Sequence, residues 1–303
     1  MKDYLELVNQ LFPTRKTESE KTAFRKYCLD EASNTKFPGK VDTIKKSNNI
    51  VFGDLEKADC VFTAHYDTPA TSLMPNLMTP TNKLIGILYH LSYPIIMALL
   101  CLAVAKLIGN YFEWHLSYVM ILYVIIYLSV FYLCTRCFKN KHNKNDNTLG
   151  VACVLSLMEI LEQDNVAFIL FDNEEKGLVG SKAIVKHNKA LFENKLVINM
   201  DCVGLGDKII VSIKEQASKL ELIEKLKSSF VSNQEFEVLY FDAKKTMGNS
   251  DQKSFPCGVG VYACKYNKII GYYTSRIHTN RDTLASSKNI EFISLGLKKF
   301  IEN

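Results

Sequence analysis

The 303 residues are enough for one large domain or two ordinary ones, with length for a proper core. Against 37 basic residues stand 32 acidic ones, a net charge of +5, and no basic block reaches the length of a nucleic-acid tract; nucleic acid is not an expected partner. The nine cysteines are odd in number and sit mostly inside apolar runs, which argues against a disulfide framework and for reduced thiols in a reducing compartment.

Apolar residues at helical spacing predict helices over 2–12 and 17–33, separated at Pro13-Thr14. The opening string MKDYLELVNQLF has no apolar h-region, so no cleaved signal peptide is expected. KVDTIKK, NNIVFGD and DCVFTAHYD read as three strands. The composition then changes. From Leu84 to Ile108 only His90 and Lys106 are ionisable, and from Leu116 to Thr135 nothing is charged. Each run meets the roughly 20 residues needed to cross a hydrocarbon core about 30 Å thick. Tyr111, Phe112 and Trp114 between them suit a membrane–water interface, where Lys106 can snorkel. A buried hairpin or an apolar dimerisation arm is the alternative, and two long runs side by side weigh against it. Cys134 and Cys137 have CxxC spacing but no thioredoxin-like strand before them, which argues against a redox role.

A polar connector, KNKHNKNDN, follows. TLGVACVLSLMEILEQ predicts a helix, VAFILFD a strand, KGLVGSKAIVKHNKAL a helix and KLVINMD a strand. ASKLELIEKLKSSFVSN predicts another helix, EFEVLYF and GVGVYACKY two more strands, and NIEFISLGLKKFIEN a closing helix. Such alternation points to an α/β fold, a mixed, largely parallel twisted sheet with helices on both faces. In sheets of this kind ligands gather beyond the carboxyl ends of strands. His65 and Asp67, the pair Glu174 and Glu175, and Asp201 all fall at such ends; Asp146 opens a helix and His278 lies in a loop. Singly, each has an ordinary reading as a cap or turn former. Together they are ligands suited to a divalent cation.

The strings AHYDTP (64–69), DNTLGVA (146–152), FDNEEKGLVGSKA (171–183), NMDCVG (199–204) and IHTNRDT (277–283) resemble, in this order, the M28 family of di-zinc metallopeptidases. The resemblance implies a zinc-peptidase/phosphorylase-hydrolase-like fold in residues 1–83 and 139–303; the two apolar runs, read as a two-helix transmembrane hairpin over 84–138, interrupt it and are the largest departure from the family. The resemblance also implies two Zn2+ per chain, in N/O-rich sites that Co2+ or Mn2+ can also occupy. Carried onto this sequence, His65 and Asp201 hold one ion, Glu175 and His278 the other, and Asp146 bridges. Asp67 orients His65, and Glu174 is the general base. A shared carboxylate answers the repulsion between two cations about 3.5–4 Å apart. The expected activity is removal of N-terminal residues from peptides.

The chain departs from the family where Ser-Asp-His is frequent, reading Ser250-Asp251-Gln252, and just upstream, where Met247-Gly248-Asn249 stands in place of a tyrosine of some secreted members. Because His65 and Asp146 flank the apolar runs and must reach one site, the chain has to cross the bilayer an even number of times. Lys83, Arg136, Lys139, Lys141 and Lys144 lie on the catalytic side and Lys106 near the other end, which predicts an integral membrane protein with two spans, its catalytic domain and both termini cytoplasmic. Membrane lipid contacts fall to residues 84–138. Two other readings stay open: a glutaminyl-cyclase-like single-zinc acyltransferase, and a non-catalytic membrane scaffold on a peptidase fold. The block containing Asn147 and Gly150 is closer to the aminopeptidases, and no ligand position is lost as a scaffold would allow.

Overall fold

In the computed structural model, which describes residues 2–303, the helices α1 (Tyr4–Leu11) and α2 (Glu18–Ala32) precede the first strands. Both begin on side-chain caps: Asp3 accepts the Glu6 N–H, and Thr17 and Glu20 form a reciprocal capping box. Next come β1 (Gly39–Ile44), β2 (Ser47–Phe52) and β3 (Cys60–His65), then the short strands β4 (Ala70–Thr71) and β5 (Leu77–Met78). The two apolar runs form α3 (Lys83–Tyr111) and α4 (Leu116–Thr135), and β6 (Phe138–Lys139) leads away from them. The elements α5 (Leu149–Ile160), β7 (Val166–Phe171), α6 (Val179–His187) and β8 (Leu196–Met200) alternate as the sequence predicts. They are followed by β9 (Lys208–Ile213), α7 (Glu221–Ser229), β10 (Glu237–Asp242), β11 (Gly258–Asn267), β12 (Gly271–Ser275) and α8 (Ser287–Glu302). The sequence reading places no strand at β9, β12 or the two-residue strands. β9 is hidden because it follows β8 with no helix between, and β4, β5 and β6 exist only through their pairing.

Ten strands form one mixed sheet among the described residues. Its centre, in the order β7-β3-β8-β11, is parallel, while β2, β1, β9 and β12 add antiparallel strands. Side chains alternate across a strand, and here they divide two cores. Phe62, Phe168, Leu170 and Ile198 face the larger one, shared with α1, α2, α5, α7 and α8. Val61, Ala167, Ile169 and Val197 face the smaller one, covered by Ile184 of α6 and by Phe192 and Phe255. Helices therefore lie on both faces.

One ion pair crosses the larger core. Lys21 of α2 reaches the carboxylate of Asp172, just past β7, at 2.5 Å and the Asn173 side chain at 2.7 Å, with both charged groups almost fully buried. Removing one partner of such a pair strands the other charge in a medium that cannot solvate it. Lys21→Met should destabilise the fold by about 3–5 kcal/mol, read from denaturant unfolding. A loss below about 1 kcal/mol would mean that the pair does not anchor α2 to the β7 turn.

Both α3 and α4 are long and apolar enough to cross a membrane. Their surfaces are apolar nearly all round, with Leu99, Leu107, Leu116 and Leu128 among many exposed large side chains. On α3 the buried residues Met97, Cys101, Ala105 and Gly109 recur every fourth position. A Cβ at Gly109 would stand 2.3 Å from Cγ2 of Val119, so glycine there lets α3 and α4 close together.

Candidate metal centre

β7, β3 and β8 are parallel neighbours, so their carboxyl ends open on one edge of the sheet. His65 is the last residue of β3, Asp201 directly follows β8, and Glu174 and Glu175 occupy a single helical turn after β7. Asp67 shapes that turn. Its Oδ1 accepts the Glu174 N–H at 2.9 Å and its Oδ2 the Glu175 N–H at 3.2 Å. Toward His65, by contrast, it is the backbone carbonyl of Asp67 that lies 3.1 Å from Nδ1, with the carboxylate at 3.6 Å. The carboxylate thus clamps the two glutamates more closely than it touches the histidine.

Asp146 stands at the middle. One of its oxygens lies 3.2 Å from Nε2 of His65, the other 2.8 Å from Nε2 of His278. Asp201 Oδ1 is 3.8 Å from His65 Nε2, and Glu175 Oε1 is 3.5 Å from His278 Nε2. Among the described residues three donor sets overlap: His65–Asp146–Asp201, Asp146–Glu175–His278 and His65–Glu174–Glu175, each with its ligand atoms within 4.8 Å of one another. All of the site residues expected from sequence converge here. Left-handed backbone, uncommon outside glycine, gathers at the same place: Asn173 (φ 58°), Cys202 (φ 55°) and His278 (φ 58°) adjoin or belong to the cluster.

The electrostatics of this cluster fit a divalent cation. Burial raises Glu174 well above the usual carboxylate range; His65 opposes the rise, and Asp251, Glu175 and Asp201 add to it. Burial likewise pushes Glu175 up to about 7, with His278 opposing and Asp146 adding. Burial opposes charge on His65, but the carboxylates of Asp146, Asp201 and Asp67 prevail and hold its pKa high. Glu175 Oε1 and Asp201 Oδ1 are buried without a hydrogen-bond partner among the described residues, a costly state for carboxylate oxygens. Imidazole nitrogen and carboxylate oxygen are the donors that zinc and its neighbours accept.

Several supports carry no role in the sequence reading. The two oxygens of Asp282 each accept a backbone N–H at 3.0 Å, from Asn145 and Asp146, and so fix the backbone that presents Asp146. Its only sequence signal is its place four residues beyond His278 in the IHTNRDT block. Asp251 is buried beside the cluster and pushed up to about 7 by that burial, against the pull of His65. Gln252 turns inward, donating to the Tyr262 hydroxyl and accepting from Asn199 at 3.1 Å, so it belongs to the packing beneath the site. Gly248 is required there, because a Cβ would meet that hydroxyl at 1.9 Å.

An α/β sheet whose strand ends draw two histidines and several carboxylates into overlapping donor sets is the plan of a metal-dependent hydrolase. The profile of Peptidase family M28 matches residues 140–294, just over half of the chain, and the chain belongs to that family. A Zn-dependent exopeptidase from Parabacteroides distasonis shares the fold with a TM-score of 0.60 at 13% identity, covering 99% of this chain and 96% of that one. Porphyromonas gingivalis glutaminyl cyclase follows at 0.59 and 11%, covering 99% and 95%. The LapA aminopeptidase of Legionella pneumophila gives 0.57 and 14%, covering 98% and 69%. No curated protein matches in sequence. The profile match begins after His65 and Asp67, whereas the structural likenesses span nearly the whole chain.

Proposed function

We propose that the chain is a membrane-anchored metallo-aminopeptidase that holds two zinc ions. Asp146 carries the reading: a single carboxylate sets one oxygen toward His65 and the other toward His278, as a bridge between two ions requires. His65 and Asp201 would hold one ion, Glu175 and His278 the other. Bound there, the ions would supply Lewis acidity toward the peptide carbonyl and favour deprotonation of the attacking water. Glu174 is free of those duties; it takes the water's proton and returns it to the leaving amine. Asp67, through both Glu174 and Glu175 N–H groups, keeps base and ligand in register. The glutaminyl cyclase likeness is one of fold, which does not decide chemistry. Two donor sets that share Asp146, one with His65 and Asp201 and one with Glu175 and His278, favour two ions over one.

Residues 1–83 and 139–303 form the catalytic domain in this reading and 84–138 a membrane hairpin, supported by the exposed apolar surfaces of α3 and α4. The basic residues at the catalytic end of the hairpin orient that domain to the cytoplasm. Inverted membrane vesicles carrying the full chain should release N-terminal residues from added peptides, with chelation stopping release and zinc restoring it. Right-side-out vesicles and N-terminally acetylated peptides should give none. Release from right-side-out vesicles alone overturns the orientation, and cyclisation of N-terminal glutamine without release overturns the peptidase reading.

A further inference from the structure

A cavity of about 460 Å³ opens beside the metal cluster, with Glu175, His278 and Asp67 in its wall. Another part of its lining carries cations. It is built by Phe131, Thr135 and Arg136 at the end of α4, by Lys16 between α1 and α2, and by Lys176 in the turn that carries the two glutamates. Two other lysines in or near this wall have found acids: Lys21 pairs with Asp172, and Lys139 with Glu20. Lys16, Lys176 and Arg136 pair with no acid among the described residues, and their side-chain nitrogens make no hydrogen bond there.

Three cations from three separate segments that share one cavity repel each other. The effect is felt at Lys16, where burial lowers the ammonium pKa, Glu175 opposes, and Arg136, Lys176 and Lys139 lower it further. Lys16 is half-buried among these like charges, whereas Lys176 and Arg136 are exposed; Glu175 opposes the repulsion at Lys16 only in part, and an anionic ligand would offset it further. Backbone links hold the wall in place: the Leu73 N–H donates to the Cys134 carbonyl at 2.9 Å, β4 pairs with β6, and the Ser72 N–H donates to the His278 carbonyl at 2.6 Å. The hairpin end and the His278 loop are therefore stitched to the same short segment.

We propose that Lys16, Lys176 and Arg136 form a carboxylate-binding subsite, so that the enzyme selects peptides bearing an acidic side chain next to the scissile bond or, when short, their own C-terminal carboxylate. The proposal rests on the peptidase reading and narrows its substrate class. An anionic lipid headgroup could meet the same charges, but Lys16 and Lys176 line the cavity with His278 and Glu175, which favours a ligand that also reaches the metal cluster.

The test uses the full chain, zinc-loaded and reconstituted in neutral-lipid nanodiscs. Three matched pairs of peptides are compared: Glu against Gln at the first residue, Asp against Asn at the second, and a dipeptide against its C-terminal amide. The acidic member of at least one pair should be favoured about tenfold in kcat/KM, the size expected for one charge-assisted contact. Which pair responds identifies the source of the carboxylate. Arg136→Gln combined with Lys176→Gln should bring that pair within twofold of each other, and Arg136→Lys should restore part of the preference. Equal values for both members of every pair overturn the subsite while leaving the peptidase reading intact. Should no peptide be hydrolysed, calorimetric titration of the same pairs decides. Tighter binding of the acidic member keeps the subsite and overturns the peptidase reading; equal binding overturns the subsite. Equal peptide values with loss of binding to phosphatidylglycerol vesicles in the double variant assign these cations to lipid instead.

Discussion

Glu174→Gln should leave the fold and the bound metal in place and lower peptide hydrolysis by roughly a thousandfold, within the ~10²–10⁴ range for a lost general base. The amide matches the carboxylate in shape, and the contact that fixes this residue survives, because Asp67 binds the backbone N–H of Glu174 and not its side chain. What is lost is the ability to accept a proton. The effect should appear in kcat at saturating peptide, with metal content measured by elemental analysis on the same sample. Hydrolysis within twofold of wild type would remove Glu174 from the reaction. Loss of a metal ion would give it a different role, that of a ligand in the His65–Glu174–Glu175 set. The two outcomes separate base from ligand, which adjacency in the sequence alone does not.

Residue type and position relative to strand ends, together with the order of the five motif blocks, made the cluster legible in the sequence. His65, Glu174, Glu175 and Asp201 end apolar strands, and the parallel order β7-β3-β8 brings those ends together. Legibility stopped where function passes through the backbone. Asp282 works by accepting two N–H groups, and Asp67 by clamping a turn; neither leaves more than an acid in a loop for the sequence to show. The strands β4, β5 and β6 were equally invisible, since two residues have no periodicity to read, yet they connect the hairpin to the His278 loop. The apolar runs announced α3 and α4, but not that the end of α4 would line the cavity beside the cluster. That contact depends on how the chain returns from Cys134 to Asn140, where the Asn140 N–H donates to the Pro69 carbonyl at 3.3 Å.

Asp146→Ala should have the broadest effect on metal content of any single substitution at the site. If its two oxygens serve two ions, their removal takes a ligand from each and leaves like-charged cations with no anion between them. Both ions should be lost, and with them all hydrolysis measurable above about a thousandth of the wild-type rate. Asp201→Ala removes a ligand from one side only and should retain about one ion per chain. The backbone at Asp146 stays anchored in either case, because Asp282 holds the N–H groups of residues 145 and 146. Thermal unfolding gives a readout independent of turnover. At a metal concentration a thousandfold above Kd, the wild-type chain should gain on the order of 4 kcal/mol per occupied site over its chelated form, and Asp146→Ala should gain almost nothing. Two full equivalents of zinc retained by Asp146→Ala, with the metal-dependent stabilisation intact, would mean that the histidines are served by separate carboxylates and that Asp146 bridges nothing.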